Sequence, residues 1–486
     1  MQGRSRLLTT ALVTFAVLAA ACGSSKSTSG SSDATTQAAL PTCPLDALAN
    51  ASAPVEVVIW HFFGQKPEQS LKDLAAAYNA SQTKVKVRVE NQGTSSDELF
   101  KKYQAAIKTK DLPAIAVLDD TVLVPMADSG TVLPAQSCID ADNYDMSDFL
   151  ATGQAYYTIG GTLYPASLNL SGALLYYNKN HYRRAGLDPN TTPKTLDEVR
   201  QYAQKIKDAG ATDPALPEKP LALKLNPPLM EMWLTGAGQA IVNNDNGRGT
   251  GTTDQAAFDT STTVGLYTWA QQMAADNLLQ VVPDTPGQVG QYLALGSQTA
   301  SMTIETSTAA TTIKAFLGGD LTLDSAAPVD LTALDFGAAE VPGINEAGQL
   351  QMGGGAWYLT NTVAPEVQAG AWDFMKFFNS LDSQVKWNLD GSYLPYRVSA
   401  AKDARIIDAW TNDLAGRWLA IAYGELINGV DPNFPGPLIG PYDQFRTAMR
   451  GSIEDMLFKQ TPPATAVTNA ADQTTTALSQ YAQGNF

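Results

Sequence analysis

The sequence VEVVIW at residues 55–60 is rich in β-branched side chains and predicts a buried strand. Two more strand patterns follow it, KVKVRVE at 84–90 and AIAVL at 114–118. Apolar residues at helical spacing separate these strands, at 67–80 and again at 97–108. Strands that alternate with helices of this length indicate βαβ units. We therefore expect an α/β fold whose ligand lies beyond the carboxyl ends of the strands.

The rest of the chain continues this mixture of patterns. A compact apolar run, LLYYN, predicts another strand at Leu174–Asn178. Amphipathic patterns predict helices at Leu196–Ala209, Ala256–Asn277, Trp372–Phe378 and Asp443–Phe458. No repeat of fixed period is visible, which argues against a propeller or a solenoid.

The composition excludes several classes of function. The 486 residues include 32 Lys plus Arg and 48 Asp plus Glu, a formal net charge of −16 at pH 7. No basic run is visible, so nucleic acid is not expected as a partner. The two histidines, His61 and His181, lie too far apart for a helical zinc-binding pair. We therefore expect no metal site and no cofactor.

The N-terminus has the pattern of an export signal. Arg4 and Arg6 precede an apolar stretch at 7–21, which is too short for a comfortable membrane span. The following Cys22 resembles the lipidated cysteine of bacterial lipoproteins, although an ordinary signal peptide remains the alternative. We expect 1–21 to be removed. Residues 22–42 would then be a lipidated, flexible tether that anchors an extracytoplasmic body to the cell membrane.

The other two cysteines, Cys43 and Cys138, belong to the predicted body outside the cytoplasm, where disulfides form and persist. We expect them to be bonded, and two free buried thiols are the alternative.

Patterns for catalysis are weak throughout. The sequence has no GxSxG elbow and no Walker A loop. The SQVK at 383–386 lacks the KTG that accompanies SxxK in penicillin-binding enzymes. The acidic DADNYD at 140–145 lacks the glycine that a calcium loop requires at its sixth position. We expect a binding protein and not an enzyme.

Six segments together have a distinctive pattern: VVIWHFFG at 57–64, DLPAIAVLDD at 111–120, LLYYNKNHYRRAGLDP at 174–189, PKTLDEV at 193–199, ASMTIETS at 300–307 and WNLDGSYLPYR at 387–397. They resemble extracellular solute-binding proteins of the carbohydrate class, which are the receptors of ABC importers for sugars, oligosaccharides and glycerol phosphate compounds. This resemblance implies a two-lobed fold of the type II periplasmic-binding-protein kind, with ligand in a central cleft and closure about a hinge. By analogy, one lobe holds 43–166 plus 306–360, and the other holds 167–305 plus 361–486. The partners implied are a carbohydrate and membrane permease subunits, and the protein is expected to be a monomer.

The same resemblance implies a set of ligand-binding residues in the cleft. Flat aromatic rings suit the apolar faces of sugars, and carboxylates and amides suit their hydroxyl groups. The candidates are Trp60, His61, Asp119, Asp120, Asn169, Ser171, Trp233, Glu305, Gly354, Gly355, Trp357, Tyr393 and Arg397. Each aromatic candidate has packing as its alternative role, and Arg397 can instead be an ion-pair partner.

The choice of ligand stays open at this stage. A neutral mono- or oligosaccharide is the first expectation, and a glycerophosphodiester or another polyol is the alternative. Two departures disfavour phosphate: Gly436–Gly440 lacks an arginine that glycerol phosphate members carry, and Asp119 with Asp120 adds negative charge. A secreted carbohydrate-active enzyme and a surface protein without a transport partner are the alternatives of a different class.

Overall fold

The computed structural model describes residues 40–283, 290–318, 334–431 and 433–484. The predicted signal peptide, Cys22 and most of the predicted tether lie outside the described residues. Among the residues described, no helix is both long and apolar enough to cross a membrane.

The strands fall into two main sheets and one short hairpin. They are β1 (Val55–His61), β2 (Val85–Asn91), β3 (Ile115–Asp119), β4 (Val132–Leu133), β5 (Thr158–Ile159), β6 (Thr162–Leu163), β7 (Leu168–Ser171), β8 (Ala173–Asn178), β9 (Leu221–Leu223), β10 (Leu279–Val281), β11 (Met302–Thr306), β12 (Phe336–Glu340) and β13 (Gly353–Thr360).

Helices surround both sheets. The helices of the first half are α1 (Asp46–Ala49), α2 (Gln65–Ser81), α3 (Ser96–Thr109), α4 (Leu123–Asp128), α5 (Ala135–Asp142), α6 (Ala151–Tyr156), α7 (Lys179–Arg184), α8 (Leu196–Gly210), α9 (Pro227–Gly236) and α10 (Asn243–Asn246). Those of the second half are α11 (Ser261–Ala275), α12 (Gly290–Gly296), α13 (Ala309–Leu317), α14 (Pro365–Phe378), α15 (Leu381–Gly391), α16 (Ala404–Asn412), α17 (Leu414–Asn428), α18 (Tyr442–Phe458) and α19 (Pro463–Ala482). Short 3₁₀ turns cover Asp120–Val122 and Ala400–Lys402.

The first sheet has the strand order β2-β1-β3-β13-β4, and β7 also pairs with β13. Strand β1 is parallel to both β2 and β3, which confirms the predicted βαβ units. Val57, Ile59, Ile115 and Val117 pack on one face of the sheet against α14. Because these strands are parallel, the carboxyl ends of β1 and β3 meet at one edge, where Asp119 and Asp120 lie.

The second sheet has the order β10-β9-β11-β8-β12. Helix α17 packs on β8 and β12, and α11, α18 and α19 pack on one another beside α9. The two sheets and their helices form the two lobes of an α/β fold, as expected. The chain passes between the sheets at Gly172, between β12 and β13, and after α15.

The sheet membership corrects the expected lobe boundaries at three elements. Strand β7 lies in the first sheet, although 167–305 was assigned to the second lobe. Strand β12 pairs with β8 in the second sheet, although 306–360 was assigned to the first. Helix α14 packs against β1, although 361–486 was assigned to the second lobe. Antiparallel pairing of β13 with β3 brings the following helix back over the first sheet, and the sequence shows no mark of this exchange.

The first lobe also contains the predicted disulfide. Cys43 and Cys138 are bonded, with their Cα atoms 4.9 Å apart. The bond ties the segment before α1 to α5.

Candidate functional site

Two consecutive carboxyls mark the carboxyl end of β3. Asp119 pairs with Gly355 of β13, and Gly355 pairs with Asn169 of β7 on its other side. Residues in such a row point to the same face of a sheet, so Asp119 and Asn169 flank a position that has no side chain. Asp120 is the next residue and faces the other way, toward the second lobe.

Asn169 has one end of its amide bound and the other free. Its Oδ1 accepts hydrogen bonds from Nε1 of Trp357 and of Trp387, each at 3.0 Å. Its Nδ2 is buried and has no hydrogen-bond partner among the described residues. A Cβ at Gly355 would lie 3.2 Å from this Nδ2. A side chain at this position would therefore crowd a donor that lacks an acceptor.

An aromatic ring borders the Asp119 side of the site. Tyr393 stacks on Trp387 with 5.3 Å between ring centroids and an angle of 9° between their planes. Its other neighbour is Phe63, at 5.8 Å between centroids. Tyr393 is partly exposed, and burial together with the charge of Asp119 raises its pKa.

The Asp120 side of the site is a chain of hydrogen bonds that runs into the second lobe. Tyr156 of α6 donates its hydroxyl hydrogen to Oδ2 of Asp120 at 2.7 Å. Gln351 donates from Nε2 to the Tyr156 hydroxyl and to Oε1 of Glu231 on α9, both at 3.2 Å. Thr235, one turn after Glu231, donates to Oε1 of Gln351 at 2.8 Å. One network therefore connects the tip of β3 with α9.

Glu231 ends this network and carries the ion pair of the site. Arg446 of α18 reaches Oε2 of Glu231 at 3.1 Å, and the hydroxyl of Tyr442 donates to Oε1. The side chain of Glu231 is 1% exposed and that of Arg446 is 23% exposed. The carboxylate is thus enclosed, whereas the guanidinium still reaches solvent.

The electrostatics of the three carboxyls are dominated by burial. Burial, with the added charge of Asp120, raises the pKa of Asp119 to about 7. Burial also raises the pKa of Asp120 and of Glu231, and Arg446 opposes the shift in both. Burial disfavours the charge of Arg446, but Glu231, Asp120 and Asp119 together raise its pKa. The guanidinium therefore stays charged, and the carboxyls compete for it.

A cavity of about 250 Å³ adjoins this network on the second lobe. Its lining includes the carboxyl-terminal ends of α9 and α17, and Thr235 belongs both to the lining and to the network. The remaining lining residues are Gly236, Ala237, Gly238, Asn345, Gln349, Leu350, Gly429, Asp431 and Phe434.

Several predicted site residues lie near these groups without pointing a free polar atom at them. Trp60 is partly exposed and donates to Oε2 of Glu90 at 2.9 Å. Ser171 lies opposite Gly353, and its Oγ is 3.4 Å from the Gly353 carbonyl oxygen. Gly354 has φ of +137°, and a Cβ there would lie 1.7 Å from the Asn169 carbonyl oxygen, so only glycine fits.

Three further predicted site residues are completely buried, and a ligand contact by any of them stays a prediction. Trp233 is 0% exposed, donates to the Pro342 carbonyl oxygen and packs edge-on against Trp269, so it belongs to the core of the second lobe. Trp357 is also 0% exposed and packs on Phe378 in the first lobe. His61 is 0% exposed, and burial lowers its pKa to about 4, so the ring is neutral.

Two more candidates bind other side chains of the protein. Arg397 pairs with Asp148 at 2.7 Å and lies over the ring of Phe149, which is the ion-pair role left open for it. Glu305 accepts from Gln291 at 2.6 Å on the second sheet. The groups that the structure brings together are therefore Asp119, Asp120, Asn169, Gly355 and Tyr393 of the predicted set.

The sequence analysis missed Glu231, Arg446, Tyr156 and Gln351. Two signals were available for the first two. Glu231 is a lone acid within PPLMEMWL, a stretch otherwise apolar, and a buried acid requires a partner. Arg446 follows Tyr442 by one helical turn. Neither signal says which acid and which base meet, because their meeting depends on how α18 and α9 approach β3.

Two α/β lobes with a polar site between them define a periplasmic-type binding protein. Residues 64–385 match the model of the bacterial extracellular solute-binding protein family, and the chain belongs to that family. A relative is the sn-glycerol-3-phosphate-binding periplasmic protein UgpB of Brucella abortus (strain 2308). It is 25% identical over 438 residues, which cover 88% of this chain and 94% of the relative.

Solved structures of binding proteins share the fold. UgpB from Mycobacterium tuberculosis in complex with glycerophosphocholine superposes with a TM-score of 0.69 at 18% identity, over 89% of this chain and 100% of that chain. The cyclic alpha-maltosyl-1,6-maltose binding protein from Arthrobacter globiformis gives 0.68 at 20% identity, over 88% and 100%. The chain is thus a solute-binding protein of the carbohydrate and glycerol phosphate ABC importer class, and its family places it outside the cytoplasm.

Proposed function

We propose that this protein captures a sugar or an oligosaccharide between its lobes and delivers it to a membrane permease. One observation carries the proposal: the row Asp119, Gly355 and Asn169 has a carboxyl and an unpaired amide donor on either side of a position without a side chain. Adjacent sugar hydroxyls both donate and accept, so one pair of hydroxyls can satisfy both groups. Tyr393 supplies an apolar surface beside them.

Closure of the lobes follows from the same groups. Tyr156 is bound to Asp120 of the first lobe, and Gln351 links it to Glu231 of the second. A ligand that contacts Asp119 and also this chain of hydrogen bonds is held better when the lobes are together. Such a difference in affinity is what shifts a two-state equilibrium toward the closed form. The closed form is then the state that the permease receives.

The second candidate ligand is a glycerophosphodiester. The curated UgpB relatives and the M. tuberculosis structure favour it. Arg446 is a cation at the site, but it is already paired with Glu231 and lies near two further carboxyls. The donors of a second arginine, Arg248, point to the Gly436 and Tyr156 carbonyl oxygens, at 2.7 and 3.1 Å. Neither guanidinium is free for a phosphate, which leaves the sugar as the better fit.

Calorimetry decides between the two ligands. We expect the purified protein without its N-terminal segment to bind maltose or trehalose, and scattering in solution to show a more compact particle with ligand. Binding of glycerophosphocholine alone would replace the sugar by the second candidate. Release of products from an oligosaccharide panel would instead indicate an enzyme, which is the alternative of a different class.

We further propose that residues 1–21 are a signal peptide and that lipid on Cys22 anchors a monomeric body to the membrane. The sequence around Cys22 supports this, as does the extracellular family. The replacement Cys22→Ala is expected to move the protein from the membrane fraction to the medium and to abolish labelling by a palmitate analogue. Retention of the variant in the membrane fraction would contradict the anchor.

A further inference from the structure

The site between the lobes has more acidic than basic side chains among the described residues. Asp119, Asp120 and Glu231 all interact with Arg446, which is the cation that the described residues place among them. Its hydrogen bonds go to Glu231, the most enclosed of the three. Asp120 accepts a hydrogen bond from the Tyr156 hydroxyl. Asp119 has no ion pair and no phenol hydrogen bond in the described residues, but its side chain has a hydrogen bond with Ser96.

We propose that the ligand is a hydroxyl-rich monocation, a sugar or polyol that carries a protonated amine, with its ammonium group against Asp119. The proposal rests on the proposed function, since it specifies the carbohydrate that the same site takes. A neutral sugar would leave excess negative charge under a closed cleft, which is costly in a site that excludes water. A cation placed there removes that cost.

An independent observation requires hydroxyl groups as well as charge. The buried Nδ2 of Asn169 is a donor without an acceptor among the described residues, and it lies beside Gly355, which has no side chain. An ammonium group has no lone pair, so it cannot accept this hydrogen bond. A hydroxyl or ether oxygen next to the amine can. Asp119 and Asn169 therefore favour a ligand that carries both a cation and an oxygen acceptor.

The same charges disfavour an anion. A phosphate would share the site with three carboxyls, while Arg446 would have to leave Glu231, which is 1% exposed, without an ion pair. In a zwitterion such as glycerophosphocholine, the carboxyls would attract the ammonium group but repel the phosphate. A hydroxylated amine without phosphate fits both ends of the row.

The test compares matched pairs of compounds that differ by one amine. N-methylglucamine is paired with sorbitol, and trehalosamine with trehalose, in calorimetry at pH 7. We expect the amine to bind about tenfold or more tightly than its neutral partner, as hydrogen bonds to charged groups do. The variant Asp119→Asn should remove most of this preference, and Asp145→Asn, on an exposed loop of the same lobe, should retain it.

The pH series adds a readout from the protein itself. N-methylglucamine stays protonated between pH 5 and pH 8, so its affinity should rise across this range as the Asp119 carboxyl ionises. Besides burial, the charges of Asp120, Arg446 and Asp97 and the hydrogen bond with Ser96 act on this ionisation. Tyr157, Tyr358 and Tyr393 also lie near Asp119 and are neutral throughout this pH range. The affinity for sorbitol should not rise in this way.

The outcomes separate this inference from the proposed function. Neutral partners that bind as tightly as the amines overturn the inference and leave the sugar receptor intact. Binding of glycerophosphocholine with no binding of either amine also overturns it, and then favours the second candidate function. If no member of either pair binds, nor maltose, both the inference and the sugar receptor are wrong.

Discussion

The hydroxyl of Tyr156 donates a hydrogen bond to Oδ2 of Asp120 at 2.7 Å. This bond joins α6 to the tip of β3, and Gln351 extends it to the second lobe. Because Tyr156 is 2% exposed, water cannot easily replace the hydroxyl when it is removed. The bond is therefore both a structural contact of the first lobe and the first step of the connection between the lobes.

Replacement of Tyr156 by Phe is expected to destabilise the protein by about 1–3 kcal/mol, since it removes the hydrogen bond between a buried hydroxyl and the Asp120 carboxyl. Urea unfolding measures this. The matched control is Tyr481→Phe, which removes a phenol hydrogen bond to Asp128 at an exposed position and should cost less than about 1 kcal/mol. Equal effects of the two replacements would mean that burial of the Asp120 bond has no energetic consequence.

Replacement of Gly355 by Ala is expected to lower ligand affinity by about tenfold or more, because the new methyl group would occupy the position between Asp119 and Asn169. Calorimetry with whichever of maltose, trehalose and N-methylglucamine binds gives the measurement. Gly353→Ala is the control, since its nearest neighbour would be Ser171 Oγ at an ordinary 4.0 Å. If both variants bind as the parent does, the row is not part of the ligand site.

The protein should lose stability as the pH rises and the Asp119 carboxyl ionises. Burial and the charge of Asp120 raise its pKa to about 7. The stabilisation by the protonated carboxyl is therefore complete below about pH 4 and is lost as the pH rises through 7. Asp119→Asn should therefore stabilise the protein at pH 8, by on the order of 1–4 kcal/mol, and change little at pH 4. Urea unfolding at the two values provides the comparison.

A carboxyl with the opposite shift serves as the control. Arg405 lowers the pKa of Asp403 to about 2, so its contribution is present at neutral pH and is lost as the pH falls toward 2. Asp403→Asn should thus destabilise at pH 8, where Asp119→Asn stabilises. If both variants change the free energy of unfolding in the same direction at pH 8, ionisation of Asp119 does not destabilise the folded protein.

The sequence was sufficient for the local elements. The strands expected at 55–60, 84–90 and 114–118 appear with their ends within one residue, because β-branched residues and alternation act locally. The helix expected from Ala256 begins instead at Ser261, where the Thr260 side chain caps its first turn. Helix α19 was not predicted at all, since its Ala and Thr residues show little apolar periodicity.

Only some of the site residues could be predicted from the sequence. Asp119 and Asp120 could be found because residues at a strand end are placed by the strand itself. The packing of Trp233 against Trp269 could not be predicted, because a tryptophan on a helix looks the same in sequence whether it faces a ligand or another ring. Arg446 lies more than 300 positions from Asp119 in the chain, and only the approach of the two lobes brings them together.

The connection between the lobes contains a buried carboxyl that should act as a neutral group. Glu425 of α17 is 3% exposed, and its Oε1 accepts from the Val341 backbone N–H at 2.7 Å, immediately after β12. Its Oε2 has no hydrogen-bond partner in the described residues and would lie 3.9 Å from a Cβ at Gly172, the link between β7 and β8. Burial raises the pKa of Glu425 well above its usual value.

Glu425→Gln is therefore expected to match the parent in stability near pH 5 and to exceed it as the pH rises, because the parent must then bury or lose a charge. Glu425→Ala removes the acceptor for Val341 and should cost about 2–4 kcal/mol near pH 5, and less relative to the parent as the pH rises and the parent loses stability. It should also weaken ligand binding, since Val341 begins one segment between the lobes. Urea unfolding across pH 5 to 9 distinguishes the variants. A Gln variant as unstable as the Ala variant would mean that the native carboxyl is ionised, and that an unseen cation holds it at the hinge.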